Sequence, residues 1–161
     1  MKVSGRPPQI DAPFTLGAQL EARARHPELC DRVFLRHDDR SWSYRQFRDE
    51  AVRYAHFLLQ RLGRERAPRR PHVAMLLENH FELLALYAGC GYAGCTLFGV
   101  NTGLSGDTLA GVLDQSGAGL LVVDERLLDR VEAIVGRLAY LRPDDILVLP
   151  TQGGGSLARG R

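Results

Sequence analysis

The chain has 161 residues, 45% of them hydrophobic and 25% charged, which is the balance of globular proteins rather than of disordered or fibrous ones. A chain of this length buries roughly 70% of the surface its unfolded form exposes, enough for one ordinary core. Its net charge of +2 is too small to argue for nucleic acid or an anionic membrane, and no apolar run approaches the ~20 residues of a membrane helix.

Residues 1–13 are polar and proline-bearing and read as a flexible arm. They lack the apolar stretch of a secretory signal, so the expected compartment is the cytoplasm. Thr15 is placed to cap a first helix running to about Arg25, with Leu16 and Leu20 on one face and His26-Pro27 as its stop. Val33, Phe34 and Leu35 suggest a strand, Asp38-Asp39-Arg40 a turn, and Ser41-Trp42-Ser43 the returning strand of a hairpin. Ser43 followed three residues later by Gln46 is a capping box. The helix behind it carries an apolar stripe of Phe47, Ala51, Tyr54, Ala55, Leu58, Leu59 and Leu62, and Gly63 suits its exit.

A loop follows. Its arginines, Arg64, Arg66, Arg69 and Arg70, are of a type that holds phosphate groups, yet no aromatic residue or glycine nest accompanies them, and the reading is a solvated loop.

Val73 to Leu77 are apolar without alternation, the habit of a strand buried on both faces in a parallel sheet. Asn79 then reads as the cap of a helix, with Glu82 returning the bond to it, and Gly89 to Gly94 as the place where that helix fails. Cys95 to Val100 is a second buried strand. Ser105 is placed to cap a helix striped by Leu109, Val112 and Leu113 and closed by Ser116-Gly117. Leu120 to Val123 is a third strand. Asp124 caps a last helix bearing Leu127, Leu128, Val131, Ile134, Val135 and Leu138, and Ile146 to Leu149 is a fourth strand. Helix-length crossovers between such strands require them to run parallel, so the expected class is α/β, an open parallel sheet with helices on its faces. Residues 151–161 carry no periodicity and read as a disordered tail.

Chemistry-bearing motifs are few. Gly89-Cys90-Gly91-Tyr92-Ala93-Gly94 spells G-x-G-x-x-G, but the dinucleotide motif must follow a strand and open a helix, where N–H groups meet the pyrophosphate. Here the glycines close a helix, so tight packing of the helix end on the sheet is the reading. His26, His37, His56, His72 and His80 never fall at metal-binding spacing and read as surface or edge residues, and Asp38-Asp39, Asp49-Glu50 and Asp144-Asp145 as solvated pairs. Cys30, Cys90 and Cys95 read as buried reduced thiols. Lys2 is the only lysine, which excludes a phosphate loop ending in Gly-Lys-Ser/Thr.

The order of pieces resembles the beginning of the AMP-binding adenylate-forming ligases, the acyl-CoA synthetases and their relatives. The residues that carry the likeness are Ser43-Tyr44-Arg45-Gln46-Phe47, a helix ending at Gly63, Val73 to Asn79, Glu82, a glycine-alanine helix end, Asn101, Leu104, Leu109 and Ser116-Gly117-Ala118. The family's prolines beside the strand-end asparagine are absent from Leu97-Phe98-Gly99-Val100-Asn101-Thr102, and Asn101-Thr102-Gly103-Leu104 looks closer to the fatty-acyl, very-long-chain branch.

The resemblance implies a two-step ligase using ATP, magnesium and CoA on a fatty acid. It also implies that the Thr/Ser/Gly loop and the lysines that manage phosphate charge lie downstream of the matched stretch. No catalytic, cofactor-binding or metal residue of the family can therefore be placed here. The expectation is residues 14–150 as the N-terminal part of the ligase domain, inactive alone as a truncated or frameshifted product, with an open sheet edge prone to self-association. The alternative is a non-catalytic flavodoxin-like binding module.

Overall fold

The computed structural model describes residues 13, 15–63 and 71–150. The expected arm and tail, and the Arg64–Arg70 loop, fall outside them, apart from Pro13. The chain divides into two compact units, one through Arg48 and one from Asp49 onward.

In the first unit, helix α1 (Leu16–Arg25) starts as its cap demands: Thr15 Oγ1 accepts from the Ala18 N–H. Strands β1 (Val33–His37) and β2 (Arg40–Ser43) form an antiparallel hairpin whose turn places Asp38 at φ 51°. Ser43 and Gln46 form the capping box reciprocally. Ser43 N–H donates to Gln46 Oε1 at 2.9 Å and Gln46 N–H to Ser43 Oγ at 3.2 Å. Helix α2 (Tyr44–Leu62) continues from there into the second unit. Its stripe is buried as read, except that Leu59 lies exposed.

The second unit is built on a four-stranded sheet of β3 (His72–Leu76), β4 (Thr96–Gly99), β5 (Leu120–Asp124) and β6 (Ile146–Leu149). Every pairing is parallel and the order is β4-β3-β5-β6. The connection from β3 steps one way to β4, and the next returns across β3 to β5. Right-handed crossovers therefore place α3 (Phe81–Ala93) on one face and α4 (Gly106–Ser116) and α5 (Leu128–Val135) on the other. The packing agrees. Ala74 and Leu76 of β3 and Leu121 and Val123 of β5 share one cluster with Leu109 and Leu113 of α4 and Val131 and Ile134 of α5. The alternate residues Leu120, Val122 and Asp124 point to the α3 face. All five β5 residues are buried, because β5 has a strand on each side and helices on both faces.

Three local readings are corrected. The cap of α3 is His80, not Asn79; His80 is still extended (φ −146°), so the chain takes one more residue to clear the strand end before turning. The helix also runs past Gly89 and Gly91 to Ala93, ending at Gly94 in the left-handed region (φ 70°). Gly89 sits there for contact with another helix, not with the sheet: a β-carbon on it would meet Tyr54 Cβ of α2 at 2.6 Å and the Ala51 carbonyl at 3.2 Å. Helix propensity disfavours glycine by about 1 kcal/mol, a cost that close crossing of two helices outweighs. Ser105 caps α4 by position only, since its side chain makes no capping bond.

Candidate functional site

Open α/β sheets bind ligands outside the carboxyl ends of their strands, where the winding direction reverses. In this sheet the reversal lies between β3 and β5. The residues that emerge there are Glu78 and His80 after β3, Glu82 in the first turn of α3, Asp124 at the end of β5 and Arg126 just beyond it.

They form one network. Asp124, fully buried, accepts from the Arg126 backbone N–H at 3.0 Å and its Nε at 3.2 Å through Oδ1, and from Arg126 Nη2 at 3.1 Å through Oδ2. Arg126 Nη2 also reaches Glu78 Oε2 at 2.8 Å. His80 bridges the two buried carboxylates, with Nδ1 3.1 Å from Glu82 Oε2 and Nε2 3.4 Å from Asp124 Oδ2. Carboxylate oxygens only accept, so both contacts are hydrogen bonds when each ring nitrogen carries a proton. Burial works to raise the Asp124 carboxyl, but the hydrogen bonds from Arg126 and His80 overcome it and hold the group below its usual range.

Asp124 is a cap, accepting from the Arg126 N–H, but it caps the 3-10 turn Glu125–Leu127, and α5 itself starts after Leu127 with no side-chain cap. The sequence pattern makes Glu82 the partner of a backbone cap and His80 a surface or edge residue. The structure instead turns Glu82 toward the His80 ring, whose side chain is only 15% exposed. The one available signal was a buried-strand pattern, Leu120 to Val123, ending on a charged residue. Its histidine partner lies 44 positions away, so no local spacing links them.

The network is self-satisfying and rich in carboxylates, with three acidic groups against one guanidinium and one imidazole. A triphosphate would meet like charge here, and no lysine is available to it among the described residues. No cluster of His, Cys, Asp and Glu able to hold a metal ion occurs among the described residues. What the arrangement does is tie the loops after β3 and β5 together at the rim. On the same rim Arg130 Nη1 donates to the Thr102 carbonyl at 2.6 Å, fastening the loop after β4 to α5. The glycine fingerprint lies within α3 and at its C-terminus, where carbonyls rather than N–H groups are free, as expected from its context.

A family model described as AMP-binding enzyme matches residues 20–151. Among solved structures, a Rhodopseudomonas palustris protein assigned as a long-chain-fatty-acid CoA ligase is 23% identical with a TM-score of 0.73, over 88% of this chain and 34% of that one. The anthranilate CoA ligase AuaEII, solved with anthranoyl-AMP, is 25% identical with a TM-score of 0.70, over 92% and 27%. The N-terminal domain of FACL13 from Mycobacterium tuberculosis is 22% identical with a TM-score of 0.70, over 90% and 35%. The chain thus spans 34%, 27% and 35% of the chains it matches, the last of these being an N-terminal domain alone. A comparison with curated proteins finds no match.

Proposed function

Because this chain belongs to the AMP-binding enzyme family, we propose that its 161 residues are the N-terminal scaffold of an acyl-CoA ligase and do not catalyse by themselves. The scaffold occupies residues 14–150. The whole enzyme would join a carboxylic acid to ATP, giving an acyl-adenylate and pyrophosphate, and then pass the acyl group to the thiol of CoA with release of AMP. A fatty acid is the substrate class we favour, supported by the Asn101-Thr102-Gly103-Leu104 form of the loop after β4.

Inactivity of the chain alone rests on one observation. The chain contains no lysine-bearing loop of the kind with which the family balances triphosphate charge, since its single lysine is Lys2, and the rim of the sheet presents carboxylates already engaged with Arg126 and His80. Phosphoryl and adenylyl transfer depend chiefly on such charge stabilisation.

The test is ATP–pyrophosphate exchange by the purified chain with magnesium and palmitate, and in parallel with benzoate. No exchange above the protein-free rate is expected, and magnesium-dependent exchange with either acid overturns the proposal. The larger ligase is tested at the gene. One of the three reading frames downstream of codon 161 is expected to encode a Thr/Ser/Gly-rich loop with a lysine, and several hundred codons without one would count against it.

A further inference from the structure

We propose that Cys90 and Cys95 are a peroxide-oxidisable dithiol, with Cys95 the attacking thiol and Cys90 the resolving one, closing to an intramolecular disulfide at the corner between α3 and β4.

The backbone sets up the pair. Helix α3 ends in a left-handed Gly94, and the Cys95 N–H folds back to donate to the Cys90 carbonyl at 2.9 Å. This is the six-to-one closure of a Schellman motif, which brings the side chains of those two positions against each other. In this motif the contact is frequently between two apolar residues; here both are thiols, and both are free. Their environments differ in the way a reactive pair requires. Cys90 is buried, 2% exposed, whereas Cys95 lies past the helix end and is partly open to solvent.

The thiols also hydrogen-bond each other. The bond from Cys90 favours the Cys95 thiolate and holds Cys95 below the ordinary thiol range, against burial, which works to raise it. Cys90 is pushed up by the same bond and by its burial. An accessible sulfur with thiolate character beside a protonated partner is the arrangement of a peroxide-sensing thiol and its resolving neighbour.

The step balances. The Cys95 thiolate attacks one oxygen of hydrogen peroxide, the O–O bond breaks, and Cys95 becomes a sulfenic acid with hydroxide leaving. The Cys90 sulfur then attacks the sulfenic sulfur, the S–S bond forms, and the hydroxyl departs as water with the Cys90 proton. The two sulfurs together lose two electrons to the peroxide, which ends as one water and one hydroxide, the hydroxide becoming the second water when it takes up the proton that Cys95 released on ionising. The third thiol, Cys30, is an internal control, buried in the first unit with Arg45 Nη2 2.8 Å from its sulfur and no cysteine partner.

The experiment uses the whole 161-residue chain. Reduced protein is exposed to hydrogen peroxide, unfolded, and alkylated with N-ethylmaleimide. It is then digested with trypsin without reduction. Cleavage gives Cys30 in peptide 26–32 and both other cysteines in peptide 70–126. The expected result is an unalkylated 70–126 peptide lighter by two hydrogens, an alkylated 26–32 peptide, and return of full alkylation after dithiothreitol. Cys90→Ser is expected to leave a Cys95 sulfenic acid that dimedone traps, and Cys95→Ser to abolish oxidation of the 70–126 peptide. Circular dichroism melts confirm that each variant is folded. Oxidation of Cys30 as fast as Cys95, disulfides only between molecules, or direct passage of wild-type Cys95 to the sulfinic acid would each overturn the proposal.

Discussion

Gly89 of α3 lies against Tyr54 of α2 so closely that a β-carbon on the glycine would stand 2.6 Å from the tyrosine's own. The Ala51 carbonyl and the Ala55 nitrogen are each 3.2 Å from the same point. Two of these three neighbours are backbone atoms of a helix, and they yield only if the whole helix moves.

Gly89→Ala is therefore expected to destabilise. Relief of glycine's poor helix propensity is worth about 1 kcal/mol, and overpacking costs about 1–3 kcal/mol. Gly91→Ala, two residues on in the same helix with nothing within 4 Å, carries only the propensity gain and is expected to stabilise by roughly 0.5–1 kcal/mol. Urea melts of the two variants should move in opposite directions. Equal gains would show that the helices separate without penalty.

Ser43→Ala removes the side-chain oxygen that accepts from the Gln46 N–H at 3.2 Å. A loss of about 1 kcal/mol is expected, with Ser43→Asp or Ser43→Thr close to wild type, measured by the same melts.

Asp124 gives the fold a dependence on acid. Burial, the largest single influence, raises its carboxyl, but the hydrogen bonds from Arg126 and His80 and the Arg126 charge together hold it below the usual range. An unfolded aspartate takes its proton near about pH 4, and the folded one only at lower pH. Between those values the unfolded chain binds more protons, so stability climbs with pH there. The contribution is complete above the unfolded value and is lost as pH falls through the folded one. Asp124→Asn is expected to cost about 1–3 kcal/mol at neutral pH and to flatten the fall in stability below about pH 4. An unchanged acid limb in this variant would assign the acid sensitivity to other carboxylates. Combined with His80→Ala, a coupling of at least about 0.5 kcal/mol is expected from residues that share a hydrogen bond.

Strands β4 and β6 each have a single partner among the described residues, leaving hydrogen-bonding groups along two edges. Such edges invite pairing with another chain. Sedimentation velocity over a wide range of protein concentration is expected to show association that grows with concentration. A single monomeric boundary throughout would rule out self-association through these edges.

Much was legible without coordinates, for reasons that are local. Unalternated apolar runs at Val73 and Leu120 and the reciprocal pair Ser43 and Gln46 depend on near neighbours, and each sits in the structure as its pattern implies, whereas the runs at Cys95 and Ile146 form outer strands that are only partly buried, because each has a strand on one side alone. Crossover length by itself required the strands to run parallel. The order β4-β3-β5-β6 was not legible, because hydrogen bonds between strands leave no periodic trace in either one. For the same reason Gly89 read as a helix end, although it is the hollow that receives Tyr54 from 35 positions earlier in the chain. His80 read as a surface or edge residue, and only the folding of β5 beside β3 brings Asp124 to its ring. Local sequence determined which segments became strands and helices; their partners, and the charged network at the rim, were decided by contacts between residues that share no local pattern.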